Sequence, residues 1–363
     1  NIDEFFLGTV NKGIFLNDSK VSITATNLSP FHTLETLSAQ VKASVGVGLF
    51  NTRTLSNVHT TFEYNQLKGS FTFSGIVDSF YHVSFGGQSS IQPNTYVFDL
   101  DSLSISAAGY GWSNEQDIQT RLNYDGFRVM HAVVKHNEES LSFTGAMKHT
   151  GEIDFTGTLH NYDLAGLNFW LRNPELTHRE QGFGGSLDAD VQLSGSVEAP
   201  AIALTAIGEN MTIKQTHIGT AIAKVNYINK FANIDVNVRE SSNDSIPTLT
   251  IYGRVPVDLA FKSVDHRFPD EPQELSVISE GFDLSILDPV IPDLDNLHGK
   301  LRCNVAIAGT PRDPQYSGTI SLTNVQCIFG PNNIPYIVDG DLEPAGNKIA
   351  LKNLTVKNPS SEE

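Results

Sequence analysis

From one end of the chain to the other, apolar and polar residues alternate with a period of two, and this limits what it can fold into more than any other feature. Examples are Val21-Ser-Ile23-Thr-Ala25, Val41-Lys-Ala43-Ser-Val45-Gly-Val47-Gly-Leu49 and Leu187-Asp-Ala189-Asp-Val191-Gln-Leu193. Later ones are Ile234-Asp-Val236-Asn-Val238, Leu301-Arg-Cys303-Asn-Val305-Ala-Ile307 and Ile320-Ser-Leu322-Thr. Successive strand side chains point to opposite faces, so each segment predicts a strand with one apolar and one wet face. Turn signals recur every 8–15 residues or so, among them Asn17-Asp18, Asn137-Glu-Glu, Asn161-Tyr-Asp163, Ser241-Ser-Asn243-Asp and Gly330-Pro-Asn-Asn333. About 25–30 strands fit that spacing. The fold class expected is all-β.

Composition agrees. Charged residues make up 18% of the 363, hydrophobic residues 39%, and there are 3 Met. Ser, Thr, Asn and Gly make up the polar balance, which suits strands and turns. Net charge is −17 with no Lys/Arg cluster, which argues against nucleic acid and against polybasic docking on an anionic bilayer. No apolar run approaches the ~18 residues of a membrane helix. The opening residues carry no secretion signal, and the chain reads as a segment whose anchor lies outside it.

Two stretches break the rhythm: Gly111 to Asp117 reads as a loop, and Val264 to Gln273 as a polar, Pro-bearing excursion. Leu284 to Leu297 and Ser29 to Leu37 have room for one helical turn each, and Pro289 and Pro292 forbid more in the former. An internal repeat organises the second half. Gly185 to Pro200 matches Gly299 to Pro314 at an offset of 114 residues, with Gly, Gly and Pro in step and the four intervening apolar positions in the same parity. The expected division is residues 1–165 and 166–363, as one continuous body.

Chemistry-bearing motifs are scarce. There is no nucleophile elbow, P-loop, dinucleotide fingerprint or His-Glu-x-x-His. His131 and His136 are placed on opposite faces. Asp99 with Asp101, and Asp188 with Asp190, share a face, yet such pairs usually form a solvated surface rather than an acid/base pair. Asp339-Gly-Asp341 and Asp293-Leu-Asp295 lack the spacing of a calcium loop. Trp112, Trp170, Phe5-Phe6 and Phe80-Tyr81 suggest a sugar platform less readily than core or edge aromatics. Cys303 and Cys327 lack ligand spacing and read as buried thiols, or as a cross-strand disulfide in an oxidising compartment. The chain is expected to be no enzyme, with no catalytic residue, metal or cofactor.

The run from Leu284 to Leu322, with Gly309-Thr-Pro-Arg-Asp-Pro314 at its centre, resembles the repeat unit of the TamB/AsmA-like family, and Gly185 to Leu204 is similar to the same unit. Phe98 to Ile105, Gly111-Trp112-Ser-Asn, Leu141 to Gly145 and Ile153 to Gly157 also look like that family. The resemblance covers residues 95–360, and residues 1–95 only in style. It implies an elongated U-shaped sheet, a β-taco, whose apolar groove carries phospholipid between inner and outer membranes across the periplasm. Implied partners are phospholipids, an Omp85-type outer-membrane barrel and the inner membrane, within an inner-membrane-anchored envelope protein. The implied groove lining is Val41, Ala43, Val45 and Val47; Leu187, Ala189, Val191 and Leu193; Leu301, Cys303, Val305 and Ile307; and Ile320 with Leu322. The physics allows it: two acyl chains of some 16 carbons lose on the order of 25 kcal/mol in water, at about 0.8 kcal/mol per methylene, and an apolar groove offsets most of that. Three alternatives stay open: a closed solenoid or sandwich with a structural or adhesive role on outward-facing Asn, Thr and Asp ladders, an outer-membrane assembly factor, or a carbohydrate-active enzyme on a β-helix, which needs a clustered carboxylate and aromatic cleft.

Overall fold

The computed structural model describes residues 2–9, 12–26, 35–50, 53–107, 109–167, 182–213, 216–242, 244–287, 294–331 and 333–358. The protein is all-β, with 22 strands, two short 3-10 turns and no α-helical element among them. No helix there is long and apolar enough to cross a membrane. Two compact units result, Asn1–Thr158 and Leu159–Glu363. Trp170 and Asp293, and most of the Ser29 to Leu37 segment, fall outside the described residues.

The first unit contains β1 (Ile2–Thr9), β2 (Lys12–Thr26), β3 (Ser38–Phe50), β4 (Arg53–Asn65), β5 (Lys68–Val77) and β6 (Tyr81–Gln92). It continues with β7 (Thr95–Ala107), β8 (Tyr110–Asn114), β9 (Ile118–Asn123), β10 (Gly126–His136), β11 (Glu139–Lys148) and most of β12 (Glu152–Asp163). Each strand from β1 to β7 pairs antiparallel with the next; β8 and β9 share the edge of β7, and both also pair with β10. The expected loop at Gly111 is thus strand β8, followed by a bend.

The second unit runs β13 (Phe183–Ser196), β14 (Pro200–Ile213), β15 (Thr216–Ile228), β16 (Phe231–Arg239) and β17 (Leu249–Pro256). After a loop at 257–273, where the Pro-bearing excursion was expected, come β18 (Glu274–Asp283), β19 (Leu294–Gly309), β20 (Pro314–Phe329), β21 (Ile334–Gly346) and β22 (Lys348–Lys357). Pairing is again sequential and antiparallel. Among the described residues no pairing joins the first strand of either unit to its last, so neither closes into a barrel.

The 114-residue repeat recurs as geometry. Gly195 pairs with Pro200 and Gly309 with Pro314, both glycines having positive φ (90° and 78°). Across each turn the backbone closes twice, Ser196 with Ala199 at 3.2 Å both ways and Thr310 with Asp313 at 3.3 and 3.1 Å. The Ser196 and Thr310 hydroxyls accept from the Ala199 and Asp313 N–H groups at 3.1 and 3.3 Å. Upstream, Asp163 accepts from Ala165 N–H at 2.9 Å and Asp283 from Ser285 N–H at 3.0 Å, each opening a 3-10 turn, Leu164–Gly166 and Leu284–Leu287.

Two expected turns are not turns. Asn17-Asp18 lies inside β2 and Asn161 inside β12, with Asp18 and Asn161 at φ of 49° and 50°. Asn57, Asn210 and Asn324 do the same inside β4, β14 and β20, each at a shift of register. Asn and Asp tolerate the left-handed conformation, and a bulge needs it as much as a turn does. Bulges bend strands, and the sheet of the second unit is bent. Its turn Leu284–Leu287, which follows β18, packs on β19 yet also reaches β15. In a flat sheet β15 and β18 would lie about 14 Å apart.

Candidate functional site

Opposed residues in an antiparallel pair share a face, so the register assigns every side chain in the second unit. Starting from Leu187, Ala189, Val191 and Leu193, the partners are Gly208, Ala206, Leu204 and Ile202, then Ala221, Ala223, Val225 and Tyr227. The face continues through Val238, Val236, Ile234 and Ala232 to Leu249, Ile251, Gly253 and Val255. It then passes Ser279, Val277 and Leu275 to Cys303, Val305 and Ile307, and on to Ile320, Gly318 and Tyr316. Leu301 faces Leu322, and β22 ends the face with Ile349, Leu351, Leu354 and Val356. No charged side chain occupies a position paired in register between Leu187 and Leu322. Charges lie opposite, on the face of Asp188, Asp190, Lys224, Asp235, Arg254 and Arg302.

This face is uncovered. Val191 is 40% exposed, Tyr316 37%, and Ile349 and Leu351 62% each. Most of the rest are half-buried against one another, and Ser279 and Tyr227 sit deepest, with Ala232, Val238, Cys303 and Val305 also buried. A small core of Leu284, Leu297 and Val325, with Leu301, Leu322 and Cys327 packed against it, holds the 3-10 turn in place. The buried Ser279 hydroxyl is satisfied locally, donating to Leu301 C=O at 2.6 Å and accepting from Phe282 N–H at 3.0 Å.

The first unit repeats the pattern with more rings. Val41, Ala43, Val45 and Val47 of β3 share a face with Ile23 and Val21 of β2, and with Phe62 and Val58 of β4. The face proceeds through Phe71 and Phe73 to Phe85, and on to Leu103. Phe73 and Phe85 stack with centroids 4.9 Å apart. Val21, Ile23 and Val47 are exposed. Here one acid intrudes at the rim: the buried Glu139, paired with His136 beside the β10–β11 turn, accepts from Tyr110 O–H at 2.7 Å. His136 is held in turn by Gly111 C=O at 2.5 Å, and Trp112 lies against the same ring, so these aromatics pack a corner.

Every residue expected to line a groove thus lies on one of the two apolar faces. Sequence reading missed what surrounds them, the partners on β14–β17 and the aromatic block of β4–β7, because alternation does not state which strand pairs with which. Four of the carboxylates considered earlier are engaged in hydrogen bonds. Asp188 accepts from His160 Nδ1 at 2.6 Å, Asp99 from Gln119 at 2.8 Å, Asp339 from Asn324 N–H at 2.7 Å and Asp341 from the Ser321 hydroxyl at 2.6 Å. No group of His, Cys, Asp and Glu among the described residues has the arrangement of a metal site. Both cysteines are free. Cys303 opposes Ile320, and Cys327 lies seven residues further along β20, about 23 Å away at strand rise, too far for a disulfide. Burial pushes both thiols above their usual range.

The loop at 257–273 is pinned to strand ends. Asp258 meets Lys230 Nζ at 2.9 Å and accepts from Ala260 N–H at 3.0 Å; Leu259 N–H donates to Tyr227 Oη and Gln273 N–H to Gly309 C=O. The Lys230 hydrogen bond, then that of Ala260, holds the Asp258 carboxyl below the ordinary carboxylate range. A lowered folded-state pKa gives stability that is complete above the unfolded value, about 3.9, and is lost as pH falls through the folded one. The protection of Ala260 N–H from hydrogen exchange, taken relative to the intrinsic rate at each pH, is therefore expected to fall below about pH 4, and Asp258→Asn to remove that acid dependence; protection that is flat with pH in the parent contradicts the assignment.

Fold and face together define a class: an open antiparallel β-protein that segregates hydrocarbon to one side of each sheet and leaves it uncovered. Comparison with known proteins adds nothing further, since no family model, curated protein or solved structure matches the chain.

Proposed function

We propose that the chain is a non-enzymatic carrier of lipid acyl chains, held along its uncovered apolar faces. The observation that supports this is the face from Leu187 to Leu322, continuous across successive strands, free of charge and half open to solvent. A sheet with one apolar face must bury it against something, and no protein layer covers this one among the described residues. Small and aliphatic side chains make a surface without deep local wells, which suits a chain that slides. The resemblance to the TamB/AsmA-like family extends the reading to phospholipid transfer between inner and outer membranes across the periplasm, with an Omp85-type barrel as partner. Native mass spectrometry of the purified chain, with lipid extraction, tests it. Phospholipid at about one molecule or more per chain is the expected result; protein free of lipid after expression with membranes present refutes the reading.

A further inference from the structure

The opposite face of the first unit carries a second, independent feature. Ser44, His59, Ser74, Ser84, Ser104 and Ser113 follow one another partner by partner across β3, β4, β5, β6, β7 and β8. Lys20 pairs with Ser44 at one end of this row, and Lys135 with Ser113 at the other. The adjoining row on the same face runs Ser22, Lys42, Thr61, Thr72, Gly86 and Ser102. In a chain of net charge −17, neither row contains an acid.

The hydroxyls are unspent. Thr61 and Thr72 bond each other at 2.6 Å, but among the described residues no hydrogen bond with another protein group engages the side-chain hydroxyls of Ser44, Ser74, Ser84, Ser104 or Ser113. Lys135 is paired with Glu115 at 2.7 Å, whereas Lys20 and Lys42 have no ion-pair partner among the described residues. The rows are also concave. One hollow of about 490 Å³ is lined by Lys20, Lys42, Ser44, His59, Thr72 and Ser74. It meets a second at Ser74, and that one meets a third at His82, Ser104 and Ser106. The result is a trough running across the strands, with a free donor every 4.8 Å or so and two free ammonium groups at one end.

We propose that this trough binds an extended anionic polysaccharide. Such a ligand presents hydroxyl and ring oxygens at regular intervals to the serine row, and its carboxylates to Lys20 and Lys42. Neither row places a carboxylate directly under the ligand, and Glu63 and Asp99 stand in the next row of the same face. The trough lies on the face away from the apolar lining, so this inference stands or falls apart from lipid carriage.

Titration calorimetry of the whole chain with hexameric oligogalacturonate at low salt is the test. Saturable binding is expected, at least tenfold tighter than to neutral maltohexaose, with hydrogen exchange slowed in β3–β8. The Ser74→Val/Ser84→Val/Ser104→Val variant keeps the charge and the strand preference, and is expected to bind at least tenfold more weakly. Lys20→Glu/Lys42→Glu is expected to do the same. No saturable binding, equal binding of the neutral sugar, or undiminished binding by the valine variant overturns the proposal. If the triple variant does not fold, Ser84→Ala alone is expected to weaken binding about threefold, and an unchanged affinity there is equally decisive.

Discussion

Val191→Asp is expected to strip the chain of at least nine-tenths of its bound lipid while leaving it folded. Val191 lies on the apolar face opposite Leu204 and is 40% exposed, so an aspartate there stays hydrated as long as the groove is empty. Covering it with an acyl chain removes that hydration, which costs several kcal/mol for an unpaired carboxylate, and each 1.4 kcal/mol is about a factor of ten in affinity. Val191→Thr introduces no charge and is expected to retain most of the lipid. Quantitative lipid extraction from the two variants, normalised to protein, makes the comparison. Equal lipid in both would take Val191 off the lipid path. Val305→Arg is a harsher version at a 9% exposed site, where the fold itself suffers as well, so the milder change is the cleaner probe.

Gly318→Val is expected to cost at least about 3 kcal/mol, or to abolish folding of the second unit, as read by guanidinium unfolding. Gly318 has a φ of 126°, which L side chains rarely adopt, and a β-carbon there would stand 2.0 Å from the Asn304 carbonyl oxygen and 3.0 Å from the Val305 α-carbon. The residue sits on the apolar face opposite Val305, and its positive φ would aim a β-carbon into the backbone of the paired strand. Ser317→Val, one residue away on the exposed wet face, serves as control and is expected to stay within about 0.5 kcal/mol of the parent. Similar losses for the two would show that the glycine is there for no conformational reason.

The alternation of Leu187 to Leu193 and of Leu301 to Ile307 was enough to read the strands, their apolar side and even the recurrence of one turn, because a period of two and a Gly-to-Pro corner are local properties. The same locality explains what was misread. Asp18 and Asn161 have turn chemistry, and the left-handed backbone they accept serves equally for reversing a chain and for bulging a strand. The difference lies in whether a partner continues to pair on both sides, which for Asp18 means β3, some twenty residues further on. About 25–30 strands were expected and 22 are described, since several turn signals of this kind bend long strands instead of ending them.

By itself, then, the amino-acid order determined an all-β chain with one apolar and one wet side, and the identity of the side chains that share that apolar side. Tertiary structure alone decided that those side chains from separate strands merge into one open face in each unit, and that scattered serines on the other side of the first unit fall into a single row. The physical reason is register: a face is a relation between strands, and a shift of one residue in any pairing would turn every following side chain the other way.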